Sequence, residues 1–186
     1  NIVSVRLRDG ASIDPDLLNR NFYTTSSCGV CGKASLEALH ASGIDVLDIG
    51  SMAIPESVLL AVPDKLRASQ PTFEETGGLH AAACFDDKGE LLVTMEDVGR
   101  HNAVDKVIGR LLIDGQLPAS NAGMMVSGRA SFELMQKAVM AGMPLLAAVG
   151  APSSLAVALA DEFNVTLVGF LRSDSFNLYA AEERIS

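Results

Sequence analysis

The amino-acid sequence predicts an α/β fold, with a largely parallel sheet flanked by helices and an early hairpin. Three observations carry that expectation. From residue 123 onward, short apolar runs alternate with helical periodicity, the pattern of strand–helix–strand units in a parallel sheet. Before them, His80–Phe85 and Leu91–Met95 read as strands joined by a turn at Asp86, Asp87, Lys88 and Gly89. The composition is that of a globular domain, with 48% apolar and 20% charged residues among 186. At this length roughly 70% of the unfolded surface can be buried, so one core needs no disulfide or metal staple. A single α/β domain over 1–186 is expected, with a flexible loop at 22–34.

The elements follow in order. Ala34–Ala41 reads as a short helix. Pro55–Gln70 reads as helical, with Pro63 a break or kink because proline removes a backbone donor. The hairpin strands come next. His101–Leu112 places Val104, Val107, Ile108, Leu111 and Leu112 at helical spacing. Gly123–Ser127 reads as a buried strand, and Ser131–Ala141 as a helix with Ser131 as N-cap and Gly142, Met143 and Pro144 as its stop. Leu145–Val149 is a strand, Ser153–Glu162 a helix and Val165–Phe170 a strand. With no Trp and two Tyr, the core is expected to be aliphatic. Met124, Met125, Met135 and Met140 read as core filler.

The formal charge of -9 argues against a broad grip on a nucleic-acid polymer, which needs a Lys/Arg surface to replace counterions. It leaves room for one nucleotide in a local pocket. No apolar run reaches the ~18–20 residues of a membrane helix. The chain opens on Asn1, Ile2, Val3 and Ser4 with no initiator Met, so a preceding segment is expected. Three cysteines, two of them in one CxxC, do not resemble a secreted disulfide framework, and a reducing cytoplasm is the expected compartment.

The stretch Thr24-Thr25-Ser26-Ser27-Cys28-Gly29-Val30-Cys31-Gly32-Lys33 is the most informative. Small polar residues and glycines leave the sulfurs accessible. A following helix N-terminus and Lys33 would favour a thiolate, the form that attacks persulfides and disulfides. Four readings compete on residues alone: half of a zinc site completed from His40, His80, Cys84 or His101, a thioredoxin-like redox pair, an inert structural pair, and a reactive carrier thiol. Cys84, in an Ala-rich apolar strand, reads as core.

In α/β sheets ligands gather at the carboxyl ends of the strands. Three loops begin there, at Ser127-Gly128-Arg129, Gly150–Ser154 and Leu171–Asp174. Arg129 could fork onto a phosphate or make a surface ion pair. Ser153 and Ser154 could meet phosphate or cap the next helix. Arg100, His101 and Asn102 sit at a helix start whose amides can hold an anion. The structural alternative has Asp97 and Asn102 capping that helix and Arg100 pairing with a carboxylate.

Several stretches in order resemble one known family. They are Ser27–Gly32, Phe73–Ala82, Glu96–Gly109, Ser127–Glu133, Ala148–Ala160, Gly169–Arg172 and Asn177–Tyr179, covering the chain from about Phe22 to Tyr179. The family is that of the formate dehydrogenase accessory sulfurtransferases of the FdhD type. The resemblance implies a cytidine-deaminase-like layered fold, often dimeric. It implies that Cys28 accepts persulfide sulfur from a cysteine desulfurase and that Cys31 assists or resolves. The sulfur would pass to the molybdenum or tungsten of bis-molybdopterin guanine dinucleotide, a transiently bound substrate, before insertion into apo formate dehydrogenase. It places the guanine end at Phe170, Leu171, Arg172, Ser173, Asp174 and Ser175, with Arg100, His101 and Arg129 lining the site. No permanent metal is expected. Family members carry an N-terminal region before the part seen here. The alternative is a chaperone that holds the cofactor without sulfur chemistry. Zinc deamination fits poorly, since Ser27 stands where that motif has Pro and no His-x-Glu precedes the CxxC.

Overall fold

A computed structural model of the chain describes residues 4, 6, 8–10, 46–47 and 52–186. Cys28, Cys31, the 22–34 loop and the Ala34–Ala41 helix expected from sequence lie outside the described residues.

The elements run α1 (Glu56–Ala68), α2 (Pro71–Thr76), β1 (His80–Phe85), β2 (Leu91–Asp97), α3 (Arg100–Ile113), β3 (Gly123–Val126), α4 (Phe132–Met140), β4 (Leu145–Ala148), α5 (Ser154–Glu162), β5 (Thr166–Gly169) and β6 (Asn177–Ala180), then a 3-10 turn at Glu182–Arg184. One sheet holds the strands in the order β2-β1-β3-β4-β5-β6. Only β3–β4 and β4–β5 pair in parallel. β1 is antiparallel to both β2 and β3, and β6 to β5. The largely parallel sheet expected from sequence is thus corrected to a mixed one. The connections explain it: α4 and α5 provide the long crossovers that parallel neighbours require, whereas a tight turn joins β1 to β2 and a short loop joins β5 to β6.

Side-chain alternation along the strands builds a core on each face. Ala82, Cys84, Met124, Val126, Leu146, Ala148 and Leu167 join Val104, Leu134 and Leu159, from α3, α4 and α5. Ala81, Ala83, Phe85, Met125, Leu145, Ala147 and Val168 join Leu59, Val62 and Leu66, from α1. The result is a helix–sheet–helix arrangement. The central strands β3, β4 and β5 are buried at every position, as strands covered on both faces must be.

Pro63 does not break α1, which runs through it. The stripe of Leu59, Val62 and Leu66 buried against the sheet holds the helix together across the missing donor. α2 and β6 were not expected as separate elements. Met124, Met125 and Met135 are core residues, but Met140 is 61% exposed in the last turn of α4 and is not filler. The chain's C-terminal residues close the α1 face: Ile54 donates to Arg184 O at 2.8 Å and accepts from Ser186 N at 3.1 Å.

Candidate functional site

β3, β4 and β5 all end at one edge of the sheet. Because β1 is antiparallel to β3, its first residue, His80, begins there, and Asp97 at the end of β2 lies opposite His80. The loops that follow are hydrogen-bonded side by side. Ser127 N donates to Ala81 O at 2.9 Å, and Ala81 N donates back to Ser127 Oγ at 2.8 Å. Gly150 N donates to Gly128 O at 2.8 Å, Phe170 N to Gly150 O at 3.1 Å and Leu171 N to Ala148 O at 3.0 Å. The rim is therefore a rigid extension of the sheet. Gly150 permits this approach: a Cβ there would lie 2.9 Å from Arg129 Cγ and 3.0 Å from Gly128 O.

The structure brings most of the expected residues to this rim. Arg100 is the first residue of α3, whose N-cap, Gly99, offers no side chain to the helix amides. Arg100 makes no ion pair with a described residue, and its buried Nε has no hydrogen-bond partner among them. The pairing with a carboxylate considered from sequence is therefore not seen. His101 points instead to α4, with Nε2 2.9 Å from Glu133 Oε2 and 3.2 Å from Ser131 Oγ. Ser131 stands at the N-cap of α4 but makes no side-chain cap; Ser153 caps α5 through Ala156 N at 3.2 Å. Arg129 is exposed and forms no ion pair among the described residues.

The loop after β5 has two parts. Phe170 adopts a left-handed backbone, φ 53°, and is 42% exposed. Such a conformation is uncommon for an aromatic residue. Leu171 turns inward and is fully buried. Arg172 Nη1 donates to Val149 O at 2.6 Å and to Leu171 O at 2.9 Å, so this guanidinium ties the loop to the one after β4. Arg172 N donates to Ser175 O at 2.8 Å, and Ser175 Oγ donates to Asp174 Oδ1 at 2.9 Å. Ser173, Asp174 and Ser175 are exposed at the tip.

Two consecutive carboxylates at the end of β2 brace the helices beside the rim. Glu96 accepts from Phe73 N at 2.8 Å and Thr72 N at 3.0 Å, capping α2. Burial pushes its pKa up, but those amide donors outweigh burial and leave it below the usual range. Asp97 takes Lys106 Nζ at 2.6 Å, Gly99 N at 2.9 Å and Asn102 Nδ2 at 3.0 Å. Lys106 first, then Gly99 N–H and the Asn102 amide, hold the Asp97 carboxyl at about 2. Asn102 thus braces Asp97 and does not itself cap α3.

Cys84 is fully buried and its thiol is pushed up to about 11, by burial first and by Asp86 second, so it is a core residue and a poor nucleophile. Among the described residues no group of three or more His, Cys, Asp or Glu is placed to hold a metal, and no helix is long and apolar enough to cross a membrane. From sequence, His80 is a strand start and a zinc candidate, and Gly128 is part of the loop after a strand. A glycine directly after a predicted strand, facing a cation at a helix start, is the signal that joins them.

Residues 2–186 match the FdhD/NarQ family. The chain is 57% identical to the sulfur carrier protein FdhD of Streptomyces avermitilis over all of this chain and 66% of that protein. It is 52% identical to the sulfur carrier protein FdhD of Mycobacterium tuberculosis, again over all of this chain and 67% of that one. The fold is similar to a crystal structure from Desulfotalea psychrophila assigned as a formate dehydrogenase accessory protein. The TM-score is 0.68 at 32% identity, covering 76% of this chain and 62% of that one. The chain spans about two thirds of the length of the curated relatives it matches. On the match across 2–186 and the identity to these relatives, the chain belongs to the FdhD/NarQ family.

Proposed function

We propose that the chain is the sulfur-handling part of a sulfurtransferase that serves formate dehydrogenase, with Cys28 as the persulfide carrier. The observation that carries this reading is the similarity to sulfur carrier proteins over the whole chain, which includes the CxxC. The Cys28 thiolate attacks the outer sulfur of a cysteine desulfurase persulfide. A new S–S bond forms at Cys28, the donor's S–S bond breaks and the desulfurase cysteine leaves as thiolate, so no oxidant is consumed. For delivery, Cys31 thiolate attacks Cys28 Sγ. The outer sulfur departs with the electron pair as sulfide to the molybdenum or tungsten of the substrate. The Cys28–Cys31 disulfide left behind is reopened by a cellular dithiol.

The substrate of this reading is bis-molybdopterin guanine dinucleotide, held at Phe170–Ser175 with Arg100, His101 and Arg129. Phe170 offers an exposed ring for a base, and the two arginines without carboxylate partners suit phosphate oxygens. The product passes to apo formate dehydrogenase in the cytoplasm. A cytidine-deaminase-like layering and a homodimer belong to the same reading.

The test is intact mass of the protein after incubation with a cysteine desulfurase and cysteine. A gain of one sulfur, lost on reduction and absent in Cys28→Ala, is expected. Cys28→Ala should keep the wild-type melting temperature and fail to restore formate dehydrogenase activity to cells lacking the wild-type protein. Full activity from cells carrying only Cys28→Ala would sink the sulfur carrier and leave the cofactor-holding chaperone.

A further inference from the structure

We infer that Arg172 is a positioning residue: its guanidinium fixes the loop after β5 so that Phe170 stands as a rigid platform for a planar base, and its contribution to binding passes through Phe170. The inference rests on the proposed guanine end at Phe170–Ser175 and gives one residue of that loop a role through its neighbour. Phe170 is 42% exposed and adopts φ 53°, a left-handed backbone that strains an aromatic residue and not a glycine. A side chain so exposed adds little to the core, so packing does not account for an aromatic at this position. The neighbours of Phe170 over-determine its conformation. A Cβ on Gly169 would lie 2.8 Å from Pro152 Cδ and 2.9 Å from Tyr179 Cε2, and Leu171 is fully buried, so the chain is pinned on both sides. Backbone strain held in this way gathers at ligand sites.

Arg172 supplies the remaining restraint. Its Nη1 has two hydrogens, and it donates to Val149 O at 2.6 Å and to Leu171 O at 2.9 Å. Val149 N donates in turn to Val126 O at 3.1 Å, and Phe170 N donates to Gly150 O at 3.1 Å. The segment that carries Phe170 is thus tied to the loop after β4 by a side chain and by its own amide, and that loop is tied to β3. With Nη1 committed to two carbonyls, the end-on fork that needs both terminal nitrogens is closed to a phosphate. Arg172 N also donates to Ser175 O at 2.8 Å, which closes the tip of the loop back on its base. Every polar contact given for Arg172 therefore acts on backbone, and the group it holds in place is the one before Leu171.

The test is a double-mutant cycle with guanosine diphosphate as the probe. In calorimetric titration of the full chain, Arg172→Gln is expected to weaken binding about tenfold in the natural protein and less than about twofold once Phe170→Ala is present. Arg172→Lys, which can still reach one carbonyl, is expected to recover part of the loss. Equal weakening in both backgrounds would mean direct contact with the probe and overturn the positioning role. A second readout needs no ligand. The chain has no Trp, so Phe170→Trp puts a single reporter on the loop. Its fluorescence anisotropy is expected to fall when Arg172→Gln is added, and an unchanged value would overturn the tie. The two readings separate. A wild-type chain that binds no guanosine diphosphate overturns the guanine end at this loop, and the platform with it, while the anisotropy still reports the tie. Persulfide loading at Cys28 is measured by mass and stands or falls by itself.

Discussion

The two ends of the sheet treat their glycines differently. At the end where β3 and β4 begin, glycines press on apolar groups: a Cβ on Gly123 would lie 2.6 Å from Phe85 Cζ, on Gly142 2.6 Å from Pro118 Cβ, and on Gly89 2.8 Å from Val58 Cγ1. At the end where β3, β4 and β5 finish, two glycines sit beside polar or basic side chains, Gly128 beside His80 and Arg100 and Gly150 beside Arg129, while Gly169 presses on Pro152 and Tyr179. Two ion pairs lie at the first end, Lys65–Glu90 at 2.6 Å and Arg110–Asp114 at 2.8 Å. At the second end Arg100 and Arg129 have no carboxylate partner among the described residues. One end is closed by packing. The other is held together by hydrogen bonds between its loops.

The contrast can be broken first through the core that both ends share. Leu146, fully buried in the middle of β4, packs against the α3–α5 layer. Leu146→Ala should cost about 2–5 kcal/mol by loss of transfer energy plus a cavity. Urea unfolding monitored by circular dichroism measures it. A cost near that of a surface substitution would mean the sheet is not the stabilising unit.

A sharper test sets one glycine from each end against the other. Gly123→Ala must displace the Phe85 ring and should cost roughly 1–3 kcal/mol through overpacking. Phe85→Leu in the same protein should return part of that loss. Gly128→Ala meets nothing closer than 3.5 Å and should change stability by less than about 0.5 kcal/mol. Equal losses at the two positions would erase the distinction between a packed end and an open one.

Much of this fold is legible in the sequence where side-chain period and burial agree. β1 begins and ends where its apolar run does, and α3 through β5 follow the alternation of apolar runs with 3.6-residue periodicity to within a residue or two. What was not legible depends on partners distant in sequence. Strand direction for β1 and β6 is set by which neighbour each meets, so a run of apolar residues could not reveal it. β6 has four residues and a half-exposed pattern, too weak to stand out from a loop. α2 has six residues with none buried, and its amides are capped by Glu96, which is remote in sequence. Met140 keeps the apolar character of its helix but falls on the solvent side of the last turn. Of the rim, the loops were readable because they follow strands. The meeting of His80 with Arg100 was not, because it depends on β1 lying antiparallel to β3.

The smallest effect concerns the brace beneath the open end. Asp97 is held at about 2, against ~3.9 for an unperturbed aspartate. A carboxyl whose folded pKa lies below its unfolded value contributes stability that is complete above the unfolded pKa and vanishes as pH falls through the folded one. In Asp97→Asn the contacts to Lys106 and Gly99 N are weakened or lost, so the variant should melt below wild type at pH 7. That gap should persist down to about pH 4 and close between about pH 4 and 2, where wild-type Asp97 takes up its proton. Thermal melts of both proteins across that range measure it. A gap that stays constant to pH 2 would mean that Asp97 braces α3 through shape and not through charge.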